Sequence, residues 1–289
     1  MALDPTKVTL CWPNRIDEAA LTGGSFETGL PLSLVQDRVM AVQAQTTDTQ
    51  PSSTWFDITL SRARPVQTVA LAAHNLTASA QYRVRIYADV DQVQLLWDSG
   101  RVDVWPAVYS TDQLEWEYDN FWSGNLDDEE RGQYTPLMTV FADEIQMAHA
   151  LRVELYDTSN PDGAIRLGRV FLGDAWQPAY NASYGITHGF DDATDVVEAG
   201  DRTEYFDRKR LRRTASLALE HLSEAEAYQR IYALQRTEGT SGELLYAYRL
   251  DNTPENFSRV FLARQQQLDV LAHPYFATHT GALNLLEVL

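Results

Sequence analysis

The sequence predicts a mainly β protein, in which a β-sandwich is followed by a small β domain with one helix packed on an antiparallel sheet. Two observations carry this prediction. Apolar and polar residues alternate over short runs along most of the chain, which is typical of half-buried antiparallel strands. One segment near residue 230 instead repeats its apolar residues at helical spacing. A chain of 289 residues has room for about two domains.

The β-sandwich is predicted over residues 51–180, where the alternation is clearest. Apolar residues take every second position from Phe56 to Leu60 and from Tyr82 to Ile86. The same pattern returns from Leu151 to Leu155 and in the run from Ile165 to Leu172. Because successive side chains of a strand point to opposite faces, each run buries one face and leaves the other polar.

Three segments do not follow this pattern. Residues 1–50 are predicted to form an N-terminal arm with short strands at 7–12 and 38–44. The stretch 107–149 is rich in aromatic and acidic residues and is predicted to be a long excursion from the sandwich. The acidic, glycine-containing segment 181–201 is predicted to be a linker.

The second domain is predicted over residues 202–289 and contains the one predicted helix, 223–238. Ser223 and Glu226 have the spacing of a capping box, in which each side chain accepts the backbone N–H of the other residue. Gly239 is a suitable left-handed end for this helix. Strands are predicted around it at about 214–221, 243–250, 257–264, 267–272 and 281–288.

Composition disfavours several classes of protein. A formal net charge of −18 argues against general nucleic-acid binding, which depends on neutralising phosphates with lysine and arginine. No stretch approaches the roughly 18 uninterrupted apolar residues of a membrane-spanning helix, and no signal peptide is recognisable. We therefore expect a soluble, unprocessed chain with neither a nucleic-acid partner nor a membrane span.

Signatures of catalysis and of cofactor binding are missing from the sequence. A lone cysteine, Cys11, excludes metal sites built on several thiolates, and no two of the six histidines are spaced i, i+4. There is no phosphate-binding glycine-rich loop and no Gly-x-Ser-x-Gly motif. The prediction is a non-enzymatic protein with no cofactor, no catalytic residue and no metal site supported by its motifs; a calcium ion held by aspartates and backbone carbonyls of scattered loops stays an open alternative.

Several short motifs occur in a recognisable order along the chain. They are Val69–Leu76, Tyr82–Tyr87, Asp98-Ser99-Gly100, Val104-Trp105-Pro106, Phe171–Pro178 and His273–Phe276. In this order they resemble the tail-tip or baseplate structural proteins of tailed phages and prophages, and the chain looks like a distal tail protein. The resemblance implies a virion protein, made in the bacterial host cytoplasm, that forms a homo-oligomeric ring. Such a ring would join the tail tube to hub, fibre or receptor-binding proteins in host attachment.

A basic island in this acidic chain is the candidate subunit interface. Its cations are Arg208, Lys209, Arg210, Arg212 and Arg213, and they follow a strongly acidic stretch. One interpretation is a solvated loop with local ion pairs. The other is that the island faces an acidic surface of a neighbouring subunit, which would give the complementarity that a closed ring requires.

Two further functions are open. A galactose-binding-like β-sandwich, or jelly roll, can serve as a carbohydrate-binding adsorption module through polar and aromatic residues in its loops. The candidate contacts for a surface glycan or another partner are His74, Asn75, Tyr109, Trp116 and Trp122. Trp97 and Trp105 are instead predicted to pack in the interior, because burying an aromatic ring is strongly favourable.

The third function is a cell-wall hydrolase. On a strand, Glu115 and Glu117 would share one face about 7 Å apart, and residues 127–130 add more carboxylates near Trp116 and Trp122. Paired carboxylates of this kind are what glycosidases use. An exposed acidic loop explains the same residues.

Overall fold

The computed structural model describes residues 2–118 and 120–289. Two compact units make up the chain: the first holds the residues up to Gln177 together with Leu245–Val260, and the second holds Pro178–Leu244 and Phe261–Leu289. The predicted fold class is confirmed, because the chain is mainly β, with a galactose-binding-like sandwich and a smaller antiparallel β unit that carries a helical segment.

Strands outnumber helices in the described part of the chain. The strands in chain order are β1 (Thr9–Cys11), β2 (Ala20–Thr22), β3 (Ala44–Gln45), β4 (Trp55–Ala72), β5 (Gln81–Tyr87), β6 (Leu95–Asp98), β7 (Val102–Asp103), β8 (Leu137–Tyr156), β9 (Arg166–Leu167), β10 (Arg169–Gly173), β11 (Ala175–Trp176), β12 (Thr187–Asp191), β13 (Asp195–Glu198), β14 (Glu204–Asp207), β15 (Arg212–Leu222), β16 (Leu244–Ala247), β17 (Val260–Gln267), β18 (Ala272–Tyr275) and β19 (Thr278–Glu287).

The helical elements are short. They are α1 (Asp128–Gly132), α2 (Glu224–Glu226), α3 (Ala233–Glu238) and α4 (Pro254–Phe257), with a π-helical turn at Ala227–Tyr232 and 3₁₀ turns at Ile16–Glu18 and Leu32–Gln36. In the described part of the chain, none of these helices has the length and apolar character needed to cross a membrane.

The main sheet of the first unit is built on two long strands, β4 and β8. Its order is β10-β4-β8-β5-β6, with β2 added to β4 and β7 to β5. The β4–β8 register shifts between Thr59 and Arg64 and again between Val66 and Thr68. Bulges of this kind bend a strand, so that both of its ends contribute to one core. Phe56 before the shifts and Leu71 after them belong to the same buried cluster.

Further strand pairs complete the first unit. Strand β1 pairs antiparallel with β11 on one side and with β16 on the other, and β3 pairs with β9. Strand β16 therefore brings a late part of the sequence into the first unit. Trp105 lies in the core of this unit, as predicted, and is 6% exposed; Trp97 is partly buried against the same core.

The second unit is an antiparallel sheet in the order β17-β19-β15-β12, with β18 paired to β19. Ser223 caps the helical segment in both directions of the predicted box, and the segment ends at Gly239 with φ of +55°. Ile231 and Leu234 are fully buried, and Tyr228 contacts His279 of β19 with ring centroids 5.7 Å apart. The predicted helix on a sheet is therefore present, with one π-helical turn in its middle.

Several predicted elements differ in extent from those observed. Strand β8 starts at Leu137, so the later third of the predicted excursion is strand; Asp143 and Glu144 hide its alternation because both are exposed. Residues 38–43 form turns rather than a strand. The predicted linker contains β12, which pairs with β15, and β13, which forms a hairpin with β14.

The division into units also differs from the predicted domain boundaries. Residues 245–260, which the sequence placed in the second domain, belong to the first unit. The reason is β1: its two neighbours in the sheet come from positions 175–176 and 245–247, far apart in the sequence. Pairing between such distant segments leaves no local signal, because periodicity reports a strand and not its partner.

Candidate functional site

A cavity of about 550 Å³ opens at one end of the first unit, beside the loop that follows β4. Its polar lining includes His74, Thr77, Ser79, Asp128 and Arg131. Its apolar walls are Leu76, Ala78, Trp105 and Pro136. A concave surface with an apolar wall and a few polar groups is the usual form of a small-molecule site.

His74 supplies a hydrogen-bond donor to this cavity. The side chain is 5% exposed, and burial lowers the pKa of His74 to about 3, so its imidazole is neutral at physiological pH. Nδ1 accepts the N–H of Leu76 at 3.3 Å, which leaves the proton on Nε2. Nε2 is buried and has no hydrogen-bond partner among the described residues. A buried N–H without an acceptor costs about 1–3 kcal/mol.

Asn75 lines the same cavity but is committed to holding a neighbouring loop. Its Nδ2 donates to Asp162 at 2.9 Å and to the carbonyl of Ala164 at 3.0 Å, and its Oδ1 accepts the N–H of Arg166 at 2.8 Å. Ala73, two residues earlier, has a left-handed backbone with φ of +55°. Asn75 therefore fixes the loop at the cavity, with both ends of its amide already hydrogen-bonded.

Helix α1 brings Arg131 to the cavity. Asp127 and Glu130 form a reciprocal capping box, and the hydroxyl of Tyr109 donates to Glu130 at 2.6 Å. This hydrogen bond raises the pKa of Tyr109 to about 12. The Arg131 guanidinium lies over the Trp105 ring, 5.2 Å from its centroid. Tyr109 therefore contacts the start of α1 through its hydrogen bond to Glu130.

Arg131 is the second donor at the cavity. It forms an ion pair with Asp128, whose side chain is otherwise exposed. Its Nη1 is buried and has no hydrogen-bond partner in residues 2–118 and 120–289. The Arg131 and His74 side chains thus both line one cavity, and each has a buried donor nitrogen, Nη1 and Nε2, without an acceptor among the described residues.

A second cavity, of about 380 Å³, adjoins the first and shares Ala78, Asp128 and Arg131 with it. Tyr118, Asn120, Ser123 and Asn125 add to its lining. Next to these residues in the sequence, Trp122 is 88% exposed and meets Phe121 edge-on, with ring centroids 5.0 Å apart. Trp116, in the same excursion, is 74% exposed. The predicted aromatic contacts are thus available at the surface.

The carboxylates considered for a hydrolase do not have the predicted arrangement. Residues 111–118 form turns, so Glu115 and Glu117 do not share the face of a strand. Glu130 is used as a helix cap and as the acceptor of Tyr109. Among the described residues, no group of three or more His, Cys, Asp or Glu side chains is arranged to hold a metal.

The basic island of the second unit is divided between local ion pairs and exposed cations. Lys209 pairs with Asp195, and Arg212 with Asp191. Arg213 is buried and donates to Glu287 at 2.6 Å. Arg208 and Arg210 are exposed and have no ion pair in the part of the chain that the structure describes. Of the predicted interface, these two arginines are the members left free to meet another subunit.

Sequence reasoning missed Arg131, Tyr118 and Asn125 as members of the site. One signal was present: Asp127-x-x-Glu130 has the same capping-box spacing as Ser223-x-x-Glu226, and it predicts a helix start that would carry Arg131. Nothing in the sequence places Arg131 over Trp105, which lies 26 positions earlier, because that contact depends on how the excursion folds back.

A mainly β protein of two units, with a donor-lined cavity in its sandwich, is the class that fold and site define. No model of a known protein family matches the sequence, and no curated protein matches it. The chain is similar in structure to the lectin-binding domain of Lectinolysin, a His 62 mutant complexed with Lewis b. The identity is 14% and the TM-score 0.37, with 56% of this chain and 96% of that one covered.

Two further solved structures match the chain with similar TM-scores and identities. The first is CBM32-1 from a family 31 glycoside hydrolase of Clostridium perfringens, with 9% identity, TM-score 0.35, and 56% of this chain and 97% of that one covered. The second is truncated AlyQ with CBM32 and alginate lyase domains, with 13% identity, TM-score 0.36, and 83% and 54% covered. At these values the likenesses assign no function to this chain.

Proposed function

We propose that this chain is a carbohydrate-binding module and that its first unit binds a glycan at the two adjoining cavities. The observation that carries the proposal is the pair of buried, unpartnered donors at one cavity, His74 Nε2 and Arg131 Nη1. Sugar hydroxyl and ring oxygens are acceptors, so a glycan in this cavity would offer acceptors to the His74 and Arg131 side chains that line it. Forming hydrogen bonds to these donors would remove the cost of leaving them unpaired and so would contribute to the free energy of binding.

The exposed aromatic residues supply the second element of sugar binding. Trp122, Trp116 and Tyr118 are each more than half exposed, although a folded protein usually buries such rings. The C–H face of a sugar ring is apolar and stacks on an aromatic face. These side chains therefore suit a chain of sugars that extends from the cavity over the excursion.

The direct test measures binding of neutral and charged oligosaccharides to the purified chain by glycan array and titration calorimetry. Wild type should bind at least one glycan class. His74→Phe keeps an aromatic ring but removes the donor, and should weaken binding about tenfold, equivalent to about 1.4 kcal/mol. Trp122→Ala should weaken it about 2- to 10-fold.

Tyr184→Ala is the matched control, because Tyr184 is a fully exposed aromatic residue of the second unit. It should bind glycan like wild type. Wild type that binds no glycan at millimolar concentration overturns the proposal. Binding that persists unchanged in both His74→Phe and Trp122→Ala places the glycan site elsewhere.

A second proposal is a structural role at a phage tail tip, with a homo-oligomeric ring, tail-tube and hub or fibre contacts, and a place in the virion. One observation favours assembly: the hairpin β13–β14 exposes four apolar side chains, and Arg208 and Arg210 beside it are exposed cations. Electron microscopy of phage tails labelled with antibody to this chain tests it. Label at the tail tip supports the proposal, and label absent from intact tails contradicts it.

A further inference from the structure

The hairpin formed by β13 and β14 is an isolated two-stranded ribbon. Its register pairs Val196 with Phe206 and Val197 with Tyr205. All four of these side chains are more than half exposed, and both strands are exposed along their whole length. A ribbon of two strands is only marginally stable in water when nothing covers it. The hairpin therefore has the features of a docking element.

Charge along the hairpin is arranged in a way that is unfavourable within one chain. Asp195 lies opposite Asp207, and Glu198 lies opposite Glu204. Like charges directly opposite each other destabilise a strand pair. Lys209 relieves the first pair by binding Asp195. The Glu198–Glu204 pair has no cation bound to it in the part of the chain that the structure describes.

The cation that could pair with this second acidic pair is Arg208, which directly follows β14. Glu204, Phe206 and Arg208 are spaced i, i+2, i+4, so that in an extended strand they lie on one face. The row thus begins with a carboxylate, has an aromatic ring at its centre and ends with a guanidinium. When two such rows run antiparallel, the carboxylate of each lies opposite the guanidinium of the other, and the two aromatic rings meet at the centre.

We infer that two copies of this chain associate through antiparallel pairing of their β14 strands, centred on Phe206. In that register Glu204 of each copy lies opposite Arg208 of the other, and the two Phe206 rings meet at the two-fold axis. The pairing supplies contacts that the isolated hairpin lacks, because the two Phe206 rings pack against each other across the new strand pair and each Glu204 gains a cation. The arrangement is isologous and closes at two copies.

The occupant follows from this complementarity. A chain with a net charge of −18 repels a second copy over most of its surface, so self-association requires a local match of opposite charge. The Glu204 to Arg208 row provides that match twice in each pair. The inference is independent of the glycan site, which lies in the first unit.

Sedimentation velocity over a range of protein concentrations, combined with charge reversal, tests this pairing. Wild type should form a dimer whose fraction rises with protein concentration. Glu204→Arg and Arg208→Glu should each raise the dimer dissociation constant about tenfold by placing like charges opposite each other. The double variant Glu204→Arg/Arg208→Glu should restore association.

Cross-linking tests the register separately. Phe206→Cys should form a disulfide between copies on mild oxidation, because the two positions meet at the axis; Val197→Cys, on the other strand and face, is the control and should not. Cys11 is buried, so background cross-linking should be low. A wild type that stays monomeric at all concentrations overturns the inference. So does a dimer whose dissociation constant in both single variants equals that of wild type. Glycan binding by these variants shows whether the first unit is intact.

Discussion

Arg213 and Glu287 form an ion pair inside the second unit, with Nη2 and Oε1 2.6 Å apart and both side chains about 5% exposed. The same carboxylate accepts the backbone N–H of Arg213 at 2.9 Å, and the guanidinium lies over the ring of Phe261. Because β15 and β19 pair antiparallel in the central part of the sheet, this contact joins their ends. An arginine that the sequence assigned to an interface is thus an internal residue of the fold.

Removing one partner of this pair should destabilise the protein strongly. We expect Arg213→Ala to lower the free energy of unfolding by about 3–5 kcal/mol, because it leaves the Glu287 carboxylate buried without its cation. Arg210→Ala, at an exposed position three residues earlier, should change it by no more than about 0.5 kcal/mol. Urea denaturation of both variants measures this, and equal stabilities would contradict a structural role for Arg213.

Trp105 should be a structural residue despite its place beside the cavity. Its ring is buried and its Nε1 donates to the carbonyl of Leu76 at 3.1 Å. We expect Trp105→Ala to cost about 3–5 kcal/mol of stability, whereas Trp122→Ala should leave stability nearly unchanged and reduce glycan binding. Thermal and denaturant unfolding of the two variants separates these roles. A Trp105→Ala protein as stable as wild type would show that the ring is dispensable for packing.

The buried imidazole of His74 predicts a definite pH dependence of stability. Its pKa is about 3 in the folded protein and about 6.5 in the unfolded chain. The unfolded state therefore binds more protons below pH 6.5, and stability falls as pH decreases from there to about 3. Between pH 7 and pH 5 this group should account for a loss of about 2 kcal/mol.

The check is the difference in unfolding free energy between pH 7 and pH 5 in wild type and in His74→Gln. The His74→Gln protein should lose about 2 kcal/mol less unfolding free energy than wild type between pH 7 and pH 5. Glycan affinity of wild type should stay constant over the same range, because the Nε2 donor is present throughout. An equal pH dependence of stability in the two proteins would contradict a buried neutral His74.

The two capping boxes allow a comparison between the units. Ser223→Ala and Asp127→Ala each remove a cap and should each cost about 1 kcal/mol of stability. Only Asp127→Ala should also weaken glycan binding, since α1 positions Arg131 at the cavity. Calorimetric titration of both variants measures this, and equal loss of binding in the two would argue against a positioning role for α1.

The alternating pattern predicts the strands at Phe56–Leu60, Tyr82–Ile86 and Leu151–Leu155, but not the first part of β8. The burial of Trp105 follows from the preference of aromatic rings for the interior, which is also a local property. The capping box at Ser223 likewise predicted the start of the helix that is observed. His74 and Asn75 were identified as candidates together, although only the fold shows that one is a free donor and the other a structural link. That distinction depends on partners about 90 positions away, which no local pattern encodes.

The first unit is assembled from two segments that are far apart in the sequence, and this has a consequence for how the protein folds during synthesis. Phe257 packs against Trp105, with ring centroids 5.7 Å apart, and against Tyr134 at 5.6 Å. It belongs to the segment Leu245–Val260, which is synthesised after most of the second unit. During translation Trp105, which lines the cavity, is therefore made more than 150 positions before Phe257, the ring against which it packs. A fragment that stops near residue 180 lacks this ring and the β16 strand, and it is the wrong piece to express in isolation for binding studies.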